Sequence, residues 1–285
     1  MENRTIGVIG AGVMGQGVSF QLAKFDYDVI LVDISAEKLG EARENIRNIG
    51  RFDLLMQSRK KSAAGICSEP EGKIRYSREL GEVAAAAIVV ENIPEKPGVK
   101  EPVYAQLRDI VTPGTLVAVN TSATPVTRLS TFMKNPADVL GIHFVNPVHL
   151  MSTVEMVKGF FTSEETIGRA REFLASIRMK AVLVNDSPGF VSNRVMLMYI
   201  NEAIFCVQEK VGTAKDVDRI FRECLSHAMG PLETADLIGL DTILYSIEVL
   251  YKEFGDDKYR PAYLLRQMVD AGFLGKKTGE GFYTY

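Results

Sequence analysis

The chain has 285 residues, 46% of them hydrophobic and 24% charged, with a formal net charge of −3. This is the profile of a globular protein with a full core, built as one large domain or two of ordinary size. The near-neutral balance excludes nucleic acid as the main partner, and Cys67, Cys206 and Cys224, widely spaced and in no CxxC or His-linked cluster, point to a reduced compartment without a metal site.

The chain opens on an apolar strand, Thr5–Ile9, that runs into Gly10-x-Gly12-x-x-Gly15. A second strand, Asp28–Val32, is closed by Asp33. In such a unit Gly10 permits the tight turn, Gly12 lets the backbone approach a pyrophosphate, and Gly15 lets the next helix pack closely on the strand. The helix start at Val13 and Met14 offers unpaired N–H groups to phosphate. Asp33 stands where an acid accepts the ribose hydroxyls of NAD and repels a 2′-phosphate. The competing reading is an ordinary strand–turn–helix whose glycines serve packing alone; the flanking strand, the helix and the spaced acid favour the cofactor. So early a strand leaves no room for a signal peptide, and a cytoplasmic location is expected.

Short β-rich runs at Lys73–Tyr76, Ala86–Glu91, Thr115–Asn120 and Val139–His143 alternate with amphipathic stretches such as Ala36–Ile49 and Val99–Ile110. That alternation predicts an α/β fold, a Rossmann-type doubly wound parallel sheet. Arg51–Gly72 is long for a connection and reads as a helical excursion carrying Arg59, Lys60 and Lys61. Ser152–Lys158 and Lys180–Val184 read as further strands around a helix at 164–177. Asn185-Asp186-Ser187-Pro188-Gly189 is a turn-rich break. The expected division is therefore a NAD-binding domain at 1–185 and an all-α domain at 186–285. The second has helical patterns at Phe190–Val211, Ala214–Ser226, Pro231–Phe254 and Arg260–Ala271. The first of these is apolar on most of its circumference but carries Arg194 and Glu202. It predicts the centre of a helical domain or a homodimer interface, and no membrane span.

Polar groups fall at the ends of elements, where an open α/β sheet carries its site: Asn120-Thr121-Ser122, His143, Glu155 and Asn193. Taking a hydride from an alcohol without a metal requires a base for the hydroxyl proton. Histidine suits the task because its pKa of about 6.5 lies near working pH. A carboxylate beside it would fix its tautomer. Glu155 lies in the apolar run Thr153-Val154-Glu155-Met156-Val157, where a charge is costly unless paired. The residues by themselves leave two readings of His143, catalytic base or satisfied core histidine. His149 reads as a loop residue facing solvent or substrate, His227 as a structural residue at a helix junction, and Met196, Met198 and Met229 as gap fillers.

Several further motifs occur in one order: Gly141-Ile142-His143-Phe144-Val145-Asn146-Pro147, Ser187-Pro188-Gly189-Phe190-Val191-Ser192-Asn193-Arg194, Met229-Gly230-Pro231-Leu232-Glu233, Asp236-Leu237-Ile238-Gly239-Leu240-Asp241 and Gly275-Lys276-Lys277-Thr278-Gly279-Glu280-Gly281-Phe282-Tyr283. With the glycine fingerprint, Val119-Asn120-Thr121-Ser122 and Val154-Glu155, they extend over nearly the whole chain. On these motifs the chain resembles the L-3-hydroxyacyl-CoA dehydrogenase family, including the bacterial 3-hydroxybutyryl-CoA dehydrogenases. The resemblance implies that His143 is the catalytic base and Glu155 its carboxylate partner. It implies that Ser122 holds the substrate's C3 oxygen, that Asn193 helps position the substrate, and that Glu95 and Lys100, with Asn120, contact the cofactor. The implied substrate is a short acyl thioester of CoA. By their charge, Arg59, Lys60 and Lys61 are expected to meet the phosphates of CoA or of a carrier protein's phosphopantetheine arm, with a solvated charge cluster as the competing reading. The short chain is expected because Phe144, Met151 and Met156 flank the site. The chain departs from the family pattern at Ala123, where a second serine is usual, at Ser152, where a lysine is common, and in the Arg51–Gly72 excursion. These departures leave open a hydroxyacyl group on an acyl-carrier protein, or a free hydroxy acid. A non-catalytic, crystallin-like structural role is the reading from another class, and the intact His143, Glu155 and Ser122 set argues against it.

Overall fold

The computed structural model describes residues 4–58, 69–95, 97–122 and 124–285, so that Arg59, Lys60, Lys61, Cys67 and Ala123 lie outside the described residues. The chain divides into two compact units, Met1–Asp186 and Ser187–Tyr285.

The first unit is built on eight strands: β1 (Thr5–Ile9), β2 (Asp28–Val32), β3 (Ile74–Ser77), β4 (Ile88–Glu91), β5 (Leu116–Val119), β6 (Val139–His143), β7 (Thr153–Lys158) and β8 (Lys180–Asn185). They form one sheet in the order β3-β2-β1-β4-β5-β6-β7-β8. The central strands are short Val/Ile-rich runs, the composition that suits strands buried on both faces. Ile6, Val8, Leu31, Ile88 and Leu116 all have at most 1% of their surface exposed and belong to the core.

The sheet is parallel except at one place. β6 and β7 pair antiparallel, with His143 opposite Glu155, whereas the alternating pattern predicted parallel strands throughout. The cause is the connection. A parallel return needs a crossover of about a dozen residues or more, and residues 144–152 hold only a short 3-10 turn at Val148–Leu150. The chain therefore doubles back, and β8 then pairs parallel with β7.

The helices of this unit are α1 (Val13–Lys24), α2 (Ala36–Ser58), α3 (Pro97–Ile110), α4 (Val126–Ser130) and α5 (Glu164–Ser176). Right-handed crossovers on either side of β1 put α1 and α2 on one face and α3 on the other. The α5 layer joins α1: Tyr27 meets Phe173 edge to face at 5.9 Å, and Gln21 Nε2 donates to the Ile177 carbonyl at 3.0 Å. Helix α2 is longer than its sequence pattern suggested, running past Ile49 to Ser58. A buried ion pair holds its second half, Lys24 Nζ to Asp53 Oδ1 at 2.8 Å.

The second unit contains α6 (Ser192–Gln208), α7 (Ala214–Glu223), α8 (Pro231–Ile238), α9 (Leu240–Phe254) and α10 (Tyr263–Asp270). Leu197, Ile200, Ile204, Leu232, Ile243 and Leu250 form its core. The expected single helix Pro231–Phe254 is broken at Gly239, whose φ of +104° no L side chain adopts easily. Two buried aspartates knit the unit. Asp218 accepts from the Leu232 and Glu233 N–H groups at 2.8 and 2.9 Å and from the Tyr283 hydroxyl at 2.7 Å. Asp236 accepts from the Phe282 and Tyr283 N–H groups at 3.0 and 2.9 Å. A Cβ on Gly230 would stand 2.3 Å from the Asp218 carboxyl carbon, and one on Gly281 2.2 Å from Asp236 Oδ1. The glycines of two of the late motifs are thus spacers beside carboxylates. Among the described residues no helix is long and apolar enough to cross a membrane.

Candidate active site

The strand order reverses at β1 and β4, and a crevice opens at the carboxyl ends of such strands. A cleft of about 340 Å³ lies there. Gly10, Gly12, Val13, Met14 and Asp33 line it on the β1–β2 side, and Asn92, Glu95, Asn120 and Ser122 on the β4–β5 side. Gly10 has φ +95°, and its N–H donates to the Val32 carbonyl at 2.7 Å. A Cβ there would lie 2.8 Å from the Asn92 carbonyl oxygen. Around Gly12 nothing lies within 4 Å of an added Cβ, so the space over that backbone is open to a close-lying group. Gly15 does not line the cleft; a Cβ would fall 1.8 Å from the Gly10 carbonyl oxygen, so it serves the strand–helix packing.

Asp33 accepts from the Ala11 N–H at 2.8 Å through Oδ2 and from the Ser35 N–H at 2.9 Å through Oδ1. Each carboxylate oxygen has two acceptor sites, so both keep capacity for ribose hydroxyls. The open approach at Gly12, the helix start behind it and the oriented acid fit a dinucleotide. Sequence reasoning missed Lys38, Ile93 and Pro94, which also line the cleft. Lys38 lies one helical turn into α2, and no motif marks it.

Lys100, expected to contact the cofactor, is 1% exposed, and its ammonium is 2.8 and 2.7 Å from the two carboxylate oxygens of Glu91. Glu91 is itself fully buried and also accepts from the Tyr104 hydroxyl at 3.0 Å and the Ile93 N–H at 2.6 Å. Burial pushes the Glu91 carboxyl up, against the pull of the Lys100 ammonium. Burial and the neighbouring Glu91 drive the Tyr104 phenol well above its ordinary value. Helix amphipathicity places an exposed-looking lysine inward here because a partner of opposite charge waits at the end of β4.

The chemistry-bearing groups gather at the end of β6. The antiparallel register sets His143 against Glu155, with Nδ1 to Oε2 at 3.0 Å. On the other side of the ring, Nε2 lies 3.3 Å from Ser122 Oγ. His143 is 8% exposed. A carboxylate at Nδ1 holds the proton on that nitrogen and leaves the Nε2 lone pair toward Ser122. Ser122 is fixed through its main chain, whose N–H donates to the Glu95 carboxylate. Asn120 ties the strand ends together: its Oδ1 accepts from the Phe144 N–H at 3.2 Å and its Nδ2 donates to Asn92 Oδ1 at 2.7 Å. The arrangement can accept a proton at Nε2 and supply a counter-charge at Nδ1.

Other expected residues fall elsewhere. Asn193 is half-buried in the first turn of α6, in the second unit. His149, expected to face solvent or substrate, packs its ring edge-on against Phe20 at 5.9 Å, and burial pushes its pKa down. Met156, expected beside the site, is fully buried in the core. His227 lies within 3.3 Å of the Tyr199 hydroxyl and beside the Phe221 ring. Among the described residues no group of three His, Cys, Asp or Glu side chains could hold a metal ion.

Two family models cover the chain. The 3-hydroxyacyl-CoA dehydrogenase NAD-binding domain matches residues 5–187, and the C-terminal domain of the same family matches residues 189–285. The chain is 43% identical over 283 residues to a probable 3-hydroxybutyryl-CoA dehydrogenase of Deinococcus radiodurans, covering 98% of this chain and 99% of that one. It is 42% identical over 290 residues to a probable 3-hydroxybutyryl-CoA dehydrogenase of Bacillus subtilis, covering 100% of this chain and 98% of that one. The crystal structure of (S)-3-hydroxybutyryl-CoA dehydrogenase from Ralstonia eutropha matches with a TM-score of 0.91 at 36% identity, over 99% of both chains. With both of its domains matched, this chain belongs to the 3-hydroxyacyl-CoA dehydrogenase family of NAD-dependent oxidoreductases.

Proposed function

We propose that the chain interconverts a short (S)-3-hydroxyacyl-CoA and the corresponding 3-oxoacyl-CoA. The observation that carries the reading is the cross-strand His143–Glu155 pair with Ser122 at Nε2. His143 Nε2 takes the hydroxyl proton while C3 gives up its hydride and its bond to oxygen becomes a carbonyl. Bound NAD supplies the hydride acceptor. Ser122 Oγ orients the C3 oxygen toward Nε2, and Glu155 gives the charge that forms on the imidazole a counter-ion. Asn193 is assigned the acyl chain, Asp33 the adenosine ribose, and the Gly12 backbone with Val13 and Met14 the pyrophosphate. Holding alcohol and base in line can lower such a barrier by about 7–11 kcal/mol.

CoA as the carrier is supported by the names of the relatives, and Arg59, Lys60 and Lys61 are assigned its phosphates. The proposal includes a homodimer acting in the cytoplasm.

The test is NADH formation from (S)-3-hydroxybutyryl-CoA, from the same acyl group on an acyl-carrier protein, and from free 3-hydroxybutyrate. The CoA thioester is expected to give the highest kcat/KM. Faster turnover of either of the other two would replace the CoA reading with that one.

A further inference from the structure

The turn after β2 holds an anion that the chain supplies itself. Asp33 follows the strand, and its two carboxylate oxygens accept from the backbone N–H groups of Ala11 and Ser35 at 2.8 and 2.9 Å. Ser35 stands before the first turn of α2, and its Oγ accepts from the Lys38 N–H at 3.2 Å. Backbone donors beside a helix start form the kind of place that also receives a phosphate.

Two cations flank this carboxylate. Lys38 lines the cleft together with Asp33. Arg78, the residue after β3, donates through Nε to the Ile34 carbonyl oxygen at 3.2 Å. The Asp33 N–H donates to the Ser77 carbonyl oxygen at 3.1 Å, so the ends of β2 and β3 lie side by side. Other basic residues at this edge are engaged: Arg75 reaches Glu82 at 2.6 Å, and Lys73 reaches Asp26 and Asp28 at 2.9 and 3.4 Å. Among the described residues neither Lys38 nor Arg78 forms such an ion pair, and the acids next to them, Glu37 and Glu79, do not line the cleft. A solvated lysine is ordinary at a surface. One that shares a cleft with the ribose-binding acid is placed to meet whatever extends from the ribose.

We propose that Lys38, assisted by Arg78, is a cofactor-specificity residue. With the Ala11 and Ser35 N–H groups and the Ser35 hydroxyl, it makes a site for the 2′-phosphate of NADP that Asp33 keeps filled. Asp33 excludes the phosphate by its charge and by holding the donors the phosphate would need, whereas Lys38 and Arg78 attract it. Selectivity for NAD then rests on one carboxylate. The assignment rests on the reading of the cleft as the cofactor site given above.

The test is the pair of dissociation constants for NADH and NADPH, measured by fluorescence, together with the melting temperature. Neither constant depends on which hydroxyacyl substrate the enzyme takes. Asp33→Ser removes the carboxylate and leaves space for a phosphate. It is expected to bind NADPH about tenfold more tightly than the parent and NADH about tenfold more weakly. Added to Asp33→Ser, Lys38→Met is expected to lower NADPH affinity about tenfold and Arg78→Met about threefold, while NADH affinity changes by no more than about twofold. Raising the salt from about 0.05 M to about 0.5 M should shrink the NADPH gain of Asp33→Ser. NADPH affinity unmoved by Asp33→Ser, or weakened no more than NADH affinity by either cation substitution, overturns the proposal. Should Asp33→Ser fail to fold, Lys38→Met in the parent decides alone. It is expected to weaken NADPH binding about fivefold and NADH binding by no more than about twofold, and an equal change in both overturns the proposal. A parent that binds no NADH would overturn the cleft reading itself and this assignment with it.

Discussion

Glu155 in the first unit and Asp218 and Asp236 in the second are all carboxylates carried inward by folded elements, but they differ in what donates to them. Asp218 and Asp236, 0% and 1% exposed, take backbone N–H groups and tyrosine hydroxyls. None of those donors releases a proton near neutrality. Burial and the neighbouring Asp236 push the Tyr285 phenol up to about 12, and burial with Asp218 drives Tyr283 higher still. Such a carboxylate is a staple. Glu155 meets an imidazole, the side chain whose ordinary pKa lies near working pH, and the far side of that ring faces a hydroxyl. What separates the carboxylate proposed for catalysis from the structural ones is the titratability of its donor, more than its burial.

The sharpest break of this comparison is His143→Gln. Turnover is expected to fall by about 10²–10⁴-fold, with NADH affinity and melting temperature close to the parent. Glu155→Gln is expected to cost less and to add little on top of His143→Gln, because both act through one imidazole. Near-parental turnover in the His143 variant would remove the pair from the mechanism. The second unit should answer in the opposite currency. Asp218→Asn keeps the shape but sets an amide against the donors now made by Leu232, Glu233 and Tyr283. Unfolding free energy is expected to drop by about 1–3 kcal/mol in urea titration, with kcat unchanged. A loss of kcat at full stability would contradict the staple reading.

The smallest effect concerns a group that belongs to neither class. Burial, which Asp53 opposes and Lys24 reinforces, pushes His149 below its ordinary value. The unfolded chain then binds the proton more readily than the folded one. Stability from this residue is present above pH of about 6.5 and is lost as pH falls through the lower folded value. His149→Phe keeps the ring against Phe20 and removes the titration, so its urea midpoint should fall less steeply below that pH than the parent's. Superimposable acid limbs would show that His149 contributes nothing to the pH dependence.

The NAD-binding fold of the first unit was legible because glycine spacing and a strand-end acid are local signals, tied to φ at Gly10 and to Cβ clashes at Gly10 and Gly15. The second half was legible only in part. Nothing local says that β7 runs antiparallel; it follows from the shortness of the link after His143, and that reversal is what brings Glu155 to the imidazole. The buried Glu91–Lys100–Tyr104 group was illegible for a related reason. Its members are distant in sequence terms of pattern, a strand end and one helix face, and a lysine reads as solvent-facing until its partner is known. The break at Gly239 was hidden because the apolar period continues on both sides of it.

The antiparallel step at β6–β7 has an evolutionary corollary. The spacing between His143 and Glu155 is dictated by ladder hydrogen bonds, not by the segment that joins the two strands. The exposed positions Val145, Asn146, Pro147, Leu150 and Ser152 can therefore change in composition while the pair stays in register, so long as the link stays too short for a crossover. Substitution at those exposed positions leaves untouched the ladder that sets His143 opposite Glu155, so the outer surface of the link and the pairing beneath it are encoded in separable residues of the same chain.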